Sequence, residues 1–223
     1  TNIDYAVTTD CKYHYDPLNR LTNMADAAGT TKYTYTAGGQ LYTEDGPWAS
    51  DTVTNTYNNR LRTGLSLAQP TGSWTNGFGY DAAKRLTGVT SQAGAFGYQF
   101  AGSGPSTLVS RLSLPNTSYI TNTYDTVARL KGTWLKNSSH TILDSATYGY
   151  NAGNQRTTFT NAAGTYVSFT YDKIGQLKVA DSSVSTEDRG YLYDAAWNLN
   201  YRTNNTTLNT FTVDGKNQLA TAF

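Results

Sequence analysis

One string recurs along the chain, Tyr-Asp-x-x-x-(Arg/Gln/Asn)-Leu, and it limits the fold more than composition does, because every repeat of it must take the same local structure. The six-residue step from the first position to Leu is kept at Tyr15–Leu21, Tyr35–Leu41, Tyr80–Leu86, Tyr124–Leu130, Tyr171–Leu177, Tyr193–Leu199 and Val213–Leu219. Three further units are degenerate: Tyr57–Leu61 is two residues short, Phe100 loses the pattern after Gly102, and Tyr150 is followed by Gln155-Arg156 in place of the polar-Leu pair. The nine steps from Tyr15 to Val213 average 22 residues and range from 20 to 26. A unit of that length has room for two strands of about five or six residues and two short loops. The chain therefore reads as about ten tandem β-hairpins, a single array over 1–223 with loops but no domain boundary. It carries no capping element at either end, so it is expected to be part of a longer chain.

The segment before each turn has period two. Tyr13 and Tyr15, Tyr33 and Tyr35, Phe78 and Tyr80, Tyr148 and Tyr150, Phe169 and Tyr171, and Tyr191 and Tyr193 are separated by single residues, mostly small or polar. Alternation across a strand puts the aromatics on one face, and stacking of units lines them up as a ladder. Tyr57 and Tyr124 take the same place in their units.

The turn chemistry agrees with this. Asn19, Gly39, Asn154, Gly175 and Asn217 precede the Arg/Gln/Asn position, and these types tolerate positive φ. Asp16, Asp81, Asp125, Asp172, Asp194 and Asp214 follow the first position and suit capping of the turn backbone. Lys84, Ala128 and Trp197 break the rule, which predicts strain or another turn type there. In the short unit Asn58-Asn59 fits a two-residue turn. A second turn recurs in Asp26–Thr30 and Asn161–Thr165, with a likeness in Ser91–Gly94. Insertions gather between units, at Gly46-Pro47-Trp48, Pro70-Thr71-Gly72, Gly102-Ser103-Gly104-Pro105 and Pro115-Asn116.

Composition supports an all-β reading: aromatics reach 13% with 18 Tyr, charged residues only 15%, and no window keeps the spacing of an amphipathic helix. At 223 residues the chain is long enough to bury a sizeable core. The 17 basic and 16 acidic residues are scattered, which leaves no footprint for nucleic acid. No apolar stretch is long enough to span a membrane, and 1–11 lack the basic start and apolar run of a signal peptide.

Four features of the sequence could carry chemistry. Cys11 with His14 suggests a thiol and a base, but three residues apart on a strand they face opposite ways, and His140 sits in a loop-like stretch. Two histidines and one cysteine make no transition-metal signature, so no cofactor is expected. The repeated Asp residues lie in equivalent turns about two strand spacings apart, roughly 9–10 Å, which favours turn capping over an acid–base pair or a ladder of calcium sites. Trp48, Trp74 and Trp134 stand outside the aromatic stripe near loops. They suit either a surface that contacts glycan or protein, or a cover for the open ends of the strip.

These residues resemble the RHS or YD-repeat family; Tyr171-Asp172-Lys173-Ile174-Gly175-Gln176-Leu177 is nearly its Tyr-Asp-x-x-Gly-Arg-Leu consensus, and the likeness covers essentially the whole chain. The resemblance implies an antiparallel strip that curves or spirals into a hollow shell. In bacterial members such a shell encloses a toxic C-terminal polypeptide, and in animal members it belongs to a cell-surface adhesion protein. It therefore implies a non-catalytic wall of a secreted or cell-surface, bacterial protein, whose partners are the rest of a longer chain or an enclosed cargo. The alternative is an extracellular adhesion or carbohydrate-binding module. The chain departs from the family in lacking the Asp-Pro-x-Gly closing segment: Asp16-Pro17-Leu18-Asn19 is only the first turn. No cargo follows Phe223, so cargo and cleavage are expected to lie outside this sequence.

Overall fold

The computed structural model describes residues 2–3, 10–102, 104 and 106–222. Most of the N-terminal stretch, with Ser103 and Pro105 of one insertion, lies outside the described residues. The chain forms two compact units. The first, Thr1–Asn116, holds β1 Asn2–Ile3, β2 Cys11–Tyr15, β3 Leu21–Asp26, β4 Gly29–Tyr35, β5 Leu41–Asp45, β6 Val53–Asn58, β7 Leu61–Gln69, β8 Gly72–Tyr80, β9 Leu86–Ser91, β10 Gly94–Phe100 and β11 Val109–Ser113. The second, Thr117–Phe223, holds β12 Tyr119–Tyr124, β13 Leu130–Lys136, β14 Ile142–Tyr150, β15 Arg156–Asn161, β16 Tyr166–Tyr171, β17 Leu177–Ser182, β18 Arg189–Tyr193, β19 Leu199–Asn204, β20 Thr207–Val213 and β21 Leu219–Ala222. Among the described residues the only helix is a 3-10 turn at Ser185–Glu187.

Within each unit every strand pairs antiparallel with the next in sequence, as β2 does with β3 and β12 with β13. Among the described residues no two strands further apart in sequence make more than marginal contact. Each unit is thus a meander one sheet thick, all β, hairpin after hairpin. Except in the short unit, where β6 runs one residue past Tyr57, the first position of each repeat closes the outgoing strand of its hairpin: Tyr15 ends β2, Tyr35 ends β4, Tyr124 ends β12 and Val213 ends β20.

The length would allow a sizeable core, but the units do not build one. Asn55, Tyr119, Gly132, Ala180 and Ser182 alone are buried among the described residues, and the chain exposes 14498 Å² where a compact monomer of 24.3 kDa exposes roughly 10,000 Å². The reason is topological, since a sheet with no second layer leaves both faces in reach of solvent.

The two faces differ as their periodicity requires. In the first unit Phe78 lies opposite Val89, which lies opposite Phe96; in the second Tyr148 lies opposite Phe159, their rings 5.9 Å apart. The other face pairs glycine with threonine, as in Gly64–Thr56, Gly77–Thr90, Gly149–Thr158 and Gly190–Thr203. A Cβ at any of these glycines would overlap the threonine hydroxyl opposite, so the absence of a side chain there is a packing requirement.

The second set of turns differs from its sequence reading. Asn161–Thr165 closes like the first-type turn, with Gly164 left-handed at φ 82. Asp26–Gly29 and Ser91–Gly94 are instead two-residue loops ending at glycines of φ 136 and 109. Pro47 and Pro115 lie where a Cβ on Gly29 and Gly94 would stand, so two of the insertions seat prolines on neighbouring turns. In the short unit the loop is Asn59-Arg60, at φ 48 and 70, one residue later than Asn58-Asn59, because Asn58 still pairs with Leu61.

Candidate functional site

The repeated chemistry sits in the first-type turn, and the unit beginning at Tyr15 shows its parts. The Asp16 N–H donates to the Arg20 carbonyl at 2.9 Å, and the Asn19 N–H donates back to the Asp16 carbonyl at 2.9 Å. Oδ1 of Asp16 accepts from the backbone N–H of Leu18 and of Arg20, both at 2.9 Å, while Oδ2 accepts from Arg20 Nε at 2.7 Å. The side chain thus caps two donors that a tight turn would otherwise leave unpaired, and uses its second oxygen for an ion pair. Asp81 with Arg85 and Asp125 with Arg129 repeat the arrangement, Nε lying 2.6 Å from Oδ2 in each. Asp172, Asp194 and Asp214 repeat its backbone half.

Lys84, Ala128 and Trp197 do not change turn type. They hold φ of 63, 68 and 70 beside 60 at Asn19 and 94 at Gly175, with the same pair of backbone hydrogen bonds. His140 occupies the same position, at φ 65, in a turn closed by Asn137. Each first-type hairpin also carries a β-bulge at its first position, as between His14 and Tyr15 or Gly149 and Tyr150. A left-handed residue followed by a bulge is one way for a three-residue loop to rejoin the ladder.

Electrostatics follow from these contacts. The Arg20 amide first, with its guanidinium, holds the Asp16 carboxyl below the usual range against the opposing cost of desolvation, and Arg85 does the same for Asp81. At Asp125 desolvation is the largest influence and pushes upward, but the amides of Arg129 and Val127 and the Arg129 guanidinium outweigh it. At Asp194 the Asn198 side chain leads the lowering.

Sequence reasoning missed what the arginine does next. Its guanidinium lies over the first aromatic of the following unit: Arg20 is 4.6 Å from the Tyr35 ring centre, Arg85 4.5 Å from Phe100 and Arg129 4.9 Å from Tyr150. The tyrosine hydroxyls then donate backwards to the preceding unit, Tyr35 to the Leu21 carbonyl at 2.8 Å, Tyr57 to Leu41 at 2.9 Å, Tyr80 to Arg62 at 2.9 Å, Tyr150 to Leu130 at 2.8 Å and Tyr171 to Arg156 at 2.7 Å. Carboxylate, guanidinium, ring and carbonyl form one latch between successive hairpins. The signal was present as Arg five residues after Tyr, but a one-dimensional pattern does not say that the side chain leaves its own unit.

The other candidate residues are not brought together. Cys11 is half-buried and His14 exposed, on opposite faces of β2. Among the described residues no group of three His, Cys, Asp or Glu is placed to hold a metal ion. Trp48 lies exposed in the loop after β5, and Trp74, in β8, shares the face of Phe78 and Tyr80 rather than standing outside the stripe. Trp134 is not near a loop: it lies within β13 opposite Thr121 and Ser145, with its indole covering Gly132. His140 Nδ1 is hydrogen-bonded to the Tyr119 hydroxyl at 2.5 Å.

No family model matches the chain, and no curated protein matches it in sequence. Solved structures match it in fold. The crystal structure of TcdB2-TccC3-Cdc42 aligns with a TM-score of 0.67 at 14% identity over 99% of this chain, which spans 13% of that one. The crystal structure of TcdB2-TccC3 without hypervariable C-terminal region gives 0.50 at 13% identity over 96%, spanning 16%. At such identities what is shared is the strip of antiparallel hairpins.

Proposed function

We propose that this chain is a non-catalytic structural module of the RHS/YD-repeat type, a length of hairpin wall that encloses another polypeptide in a secreted or cell-surface bacterial protein. Its array over 1–223 is part of a longer one, and its partners are the rest of that chain and the enclosed cargo. The observation that carries the reading is the latch: the chain's recurring polar chemistry is used between successive hairpins and is repeated along the array, as in a wall, instead of being gathered at one site. The fold likeness to TcdB2-TccC3 supports it, and the hypervariable C-terminal region of that protein accords with a constant wall joined to a variable polypeptide.

Native proteolysis of the full gene product tests the reading. Enclosure predicts that polypeptide beyond the array resists protease until the wall is opened, for example by cleavage at a site engineered between Gly102 and Ser106. Digestion of that polypeptide at the same rate before and after opening would overturn it.

A further inference from the structure

In three units the arginine fills the space between its own turn and the next unit's aromatic ring. Where glutamine takes its place the space is open. Hollows of about 400, 360 and 330 Å³ lie between Gln40 and Tyr57, between the Asn154 turn and Tyr171, and between Gln176 and Tyr193. The strands flanking the last are splayed: β17 and β18 pair only through Val179–Gly190 and Ala180–Arg189 among the described residues, whereas β3 and β4 pair from Asn23–Lys32 to Asp26–Gly29.

Of the three hollows, only the last has a carboxylate in its turn. Thr36 and Asn151 hold that position in the others, and Asp172 holds it here. Oδ1 of Asp172 accepts from the amides of Ile174 and Gln176 at 3.0 and 2.9 Å, as in the arginine-bearing turns. Oδ2, which in Asp16, Asp81 and Asp125 takes the guanidinium, receives no donor from the described protein. On the far wall Tyr193 makes no backward bond of the kind Tyr171 makes to Arg156. Asp172 and Tyr193 line the same hollow, and burial first, with the Tyr191 and Asp172 charges, raises the Tyr193 phenol above its ordinary range.

We propose that the hollow between Asp172 and Tyr193 is a binding site for a guanidinium group, an arginine side chain of another polypeptide. The ligand donates to Asp172 Oδ2 and lies over the Tyr193 ring, as Arg20 does between Asp16 and Tyr35. A planar guanidinium makes both contacts at once, which a compact ammonium does not. Lys173 and Lys178 line the same hollow without pairing with Asp172, and their repulsion keeps the affinity low, with a dissociation constant on the order of millimolar. The site does not depend on what the wall encloses.

The test is a titration of the isotope-labelled 223-residue chain, followed by nuclear magnetic resonance, with N-acetyl-arginine amide, its lysine analogue and its uncharged citrulline analogue. Arginine is expected to give saturable shifts at the amides of Gly175, Gln176 and Tyr193, lysine to bind about tenfold more weakly, and citrulline to give none. Asp172→Asn keeps the Oδ1 acceptor and should lose the arginine response. Gln176→Arg, which supplies the guanidinium from the chain itself, should abolish binding and raise the melting temperature. Equal shifts with citrulline, an arginine response retained in Asp172→Asn, or the absence of saturable shifts in the unaltered chain would each overturn the proposal. Gln176→Arg that neither melts higher nor blocks binding would do so as well.

Discussion

At the residue scale the turn imposes its conformation on side chains that do not favour it. Ala128 and Trp197 sit at φ 68 and 70, where an L residue other than glycine costs about 1–2 kcal/mol. The two backbone bonds and the two amides capped by Asp125 or Asp194 outweigh that cost. Residue type at this position is therefore only a partial signal, which is why the glycine and asparagine turns were legible in the sequence and the lysine, alanine and tryptophan ones were not. Ala128→Gly is expected to stabilise by roughly 0.5 kcal/mol, the left-handed strain less the unfolded-state entropy that glycine brings. Gly175→Val should cost about 1–2 kcal/mol and more than Ala128→Val, since Ala128 already bears most of the strain. Thermal melts of the three variants check the order.

The same turns set the acid response. The carboxyls of Asp16, Asp81, Asp125 and Asp194 are lowered in the folded chain, so the unfolded chain binds protons first as pH falls. Their stabilisation is complete above the unfolded aspartate value, near pH 4, and is lost progressively below it. Melting temperature should be level from neutral pH to about pH 5 and fall toward pH 2, and Asp16→Asn should flatten part of that fall. An unchanged melt down to pH 2 would count against the capped turns.

At the scale of the element, the first positions of the repeat and the strand ends coincide from Tyr15 to Val213 in all units but the short one, where the strand runs one residue past Tyr57. Tyrosine before a turn former marks where a strand stops, so that much was readable. The bulges at those positions were not, because an extra residue in a ladder leaves no composition mark. Nor was the span of the latch, which is a property of two neighbouring hairpins. Arg129→Lys keeps the charge but gives up the Nε bond to Asp125 Oδ2, the bonds to Asn151 and Asn154 and the planar contact over Tyr150, and should cost about 1–2 kcal/mol. Tyr150→Phe, which loses only the bond to the Leu130 carbonyl, should cost about 1 kcal/mol. Because both residues serve one latch, the double variant should cost less than the two single losses together, which urea unfolding of the set measures. Strict additivity would separate the ring contact from the hydroxyl bond.

At the scale of the whole molecule, units without a second layer have no central core to lose, and within each of them stability is carried from each hairpin to the next. The all-β strip was legible from the repeat alone; the thinness of its core was not, since period two shows that one face is apolar without showing whether anything lies on it. The consequence is modularity. Removing 151–171, which are 21 residues, joins Tyr150 directly to Asp172 and restores a Tyr-Asp turn running to Leu177. The new hairpin pairs β14 with β17, leaves Arg129 over Tyr150, and offers that arginine the Asp172 carbonyl in place of that of Asn151, while the bond to the Asn154 side chain is lost at Gly175. A layered domain would not survive such an excision, because every strand in it supports others across the core. Here the shortened chain should keep its β circular dichroism and a cooperative melt at somewhat lower temperature, whereas a cut out of phase, such as 159–178, which joins Thr158 to Val179 and so sets two residues of one face side by side, should leave mismatched faces and aggregate. Loss of folding in both deletions would mean that contacts beyond neighbouring hairpins hold the unit together.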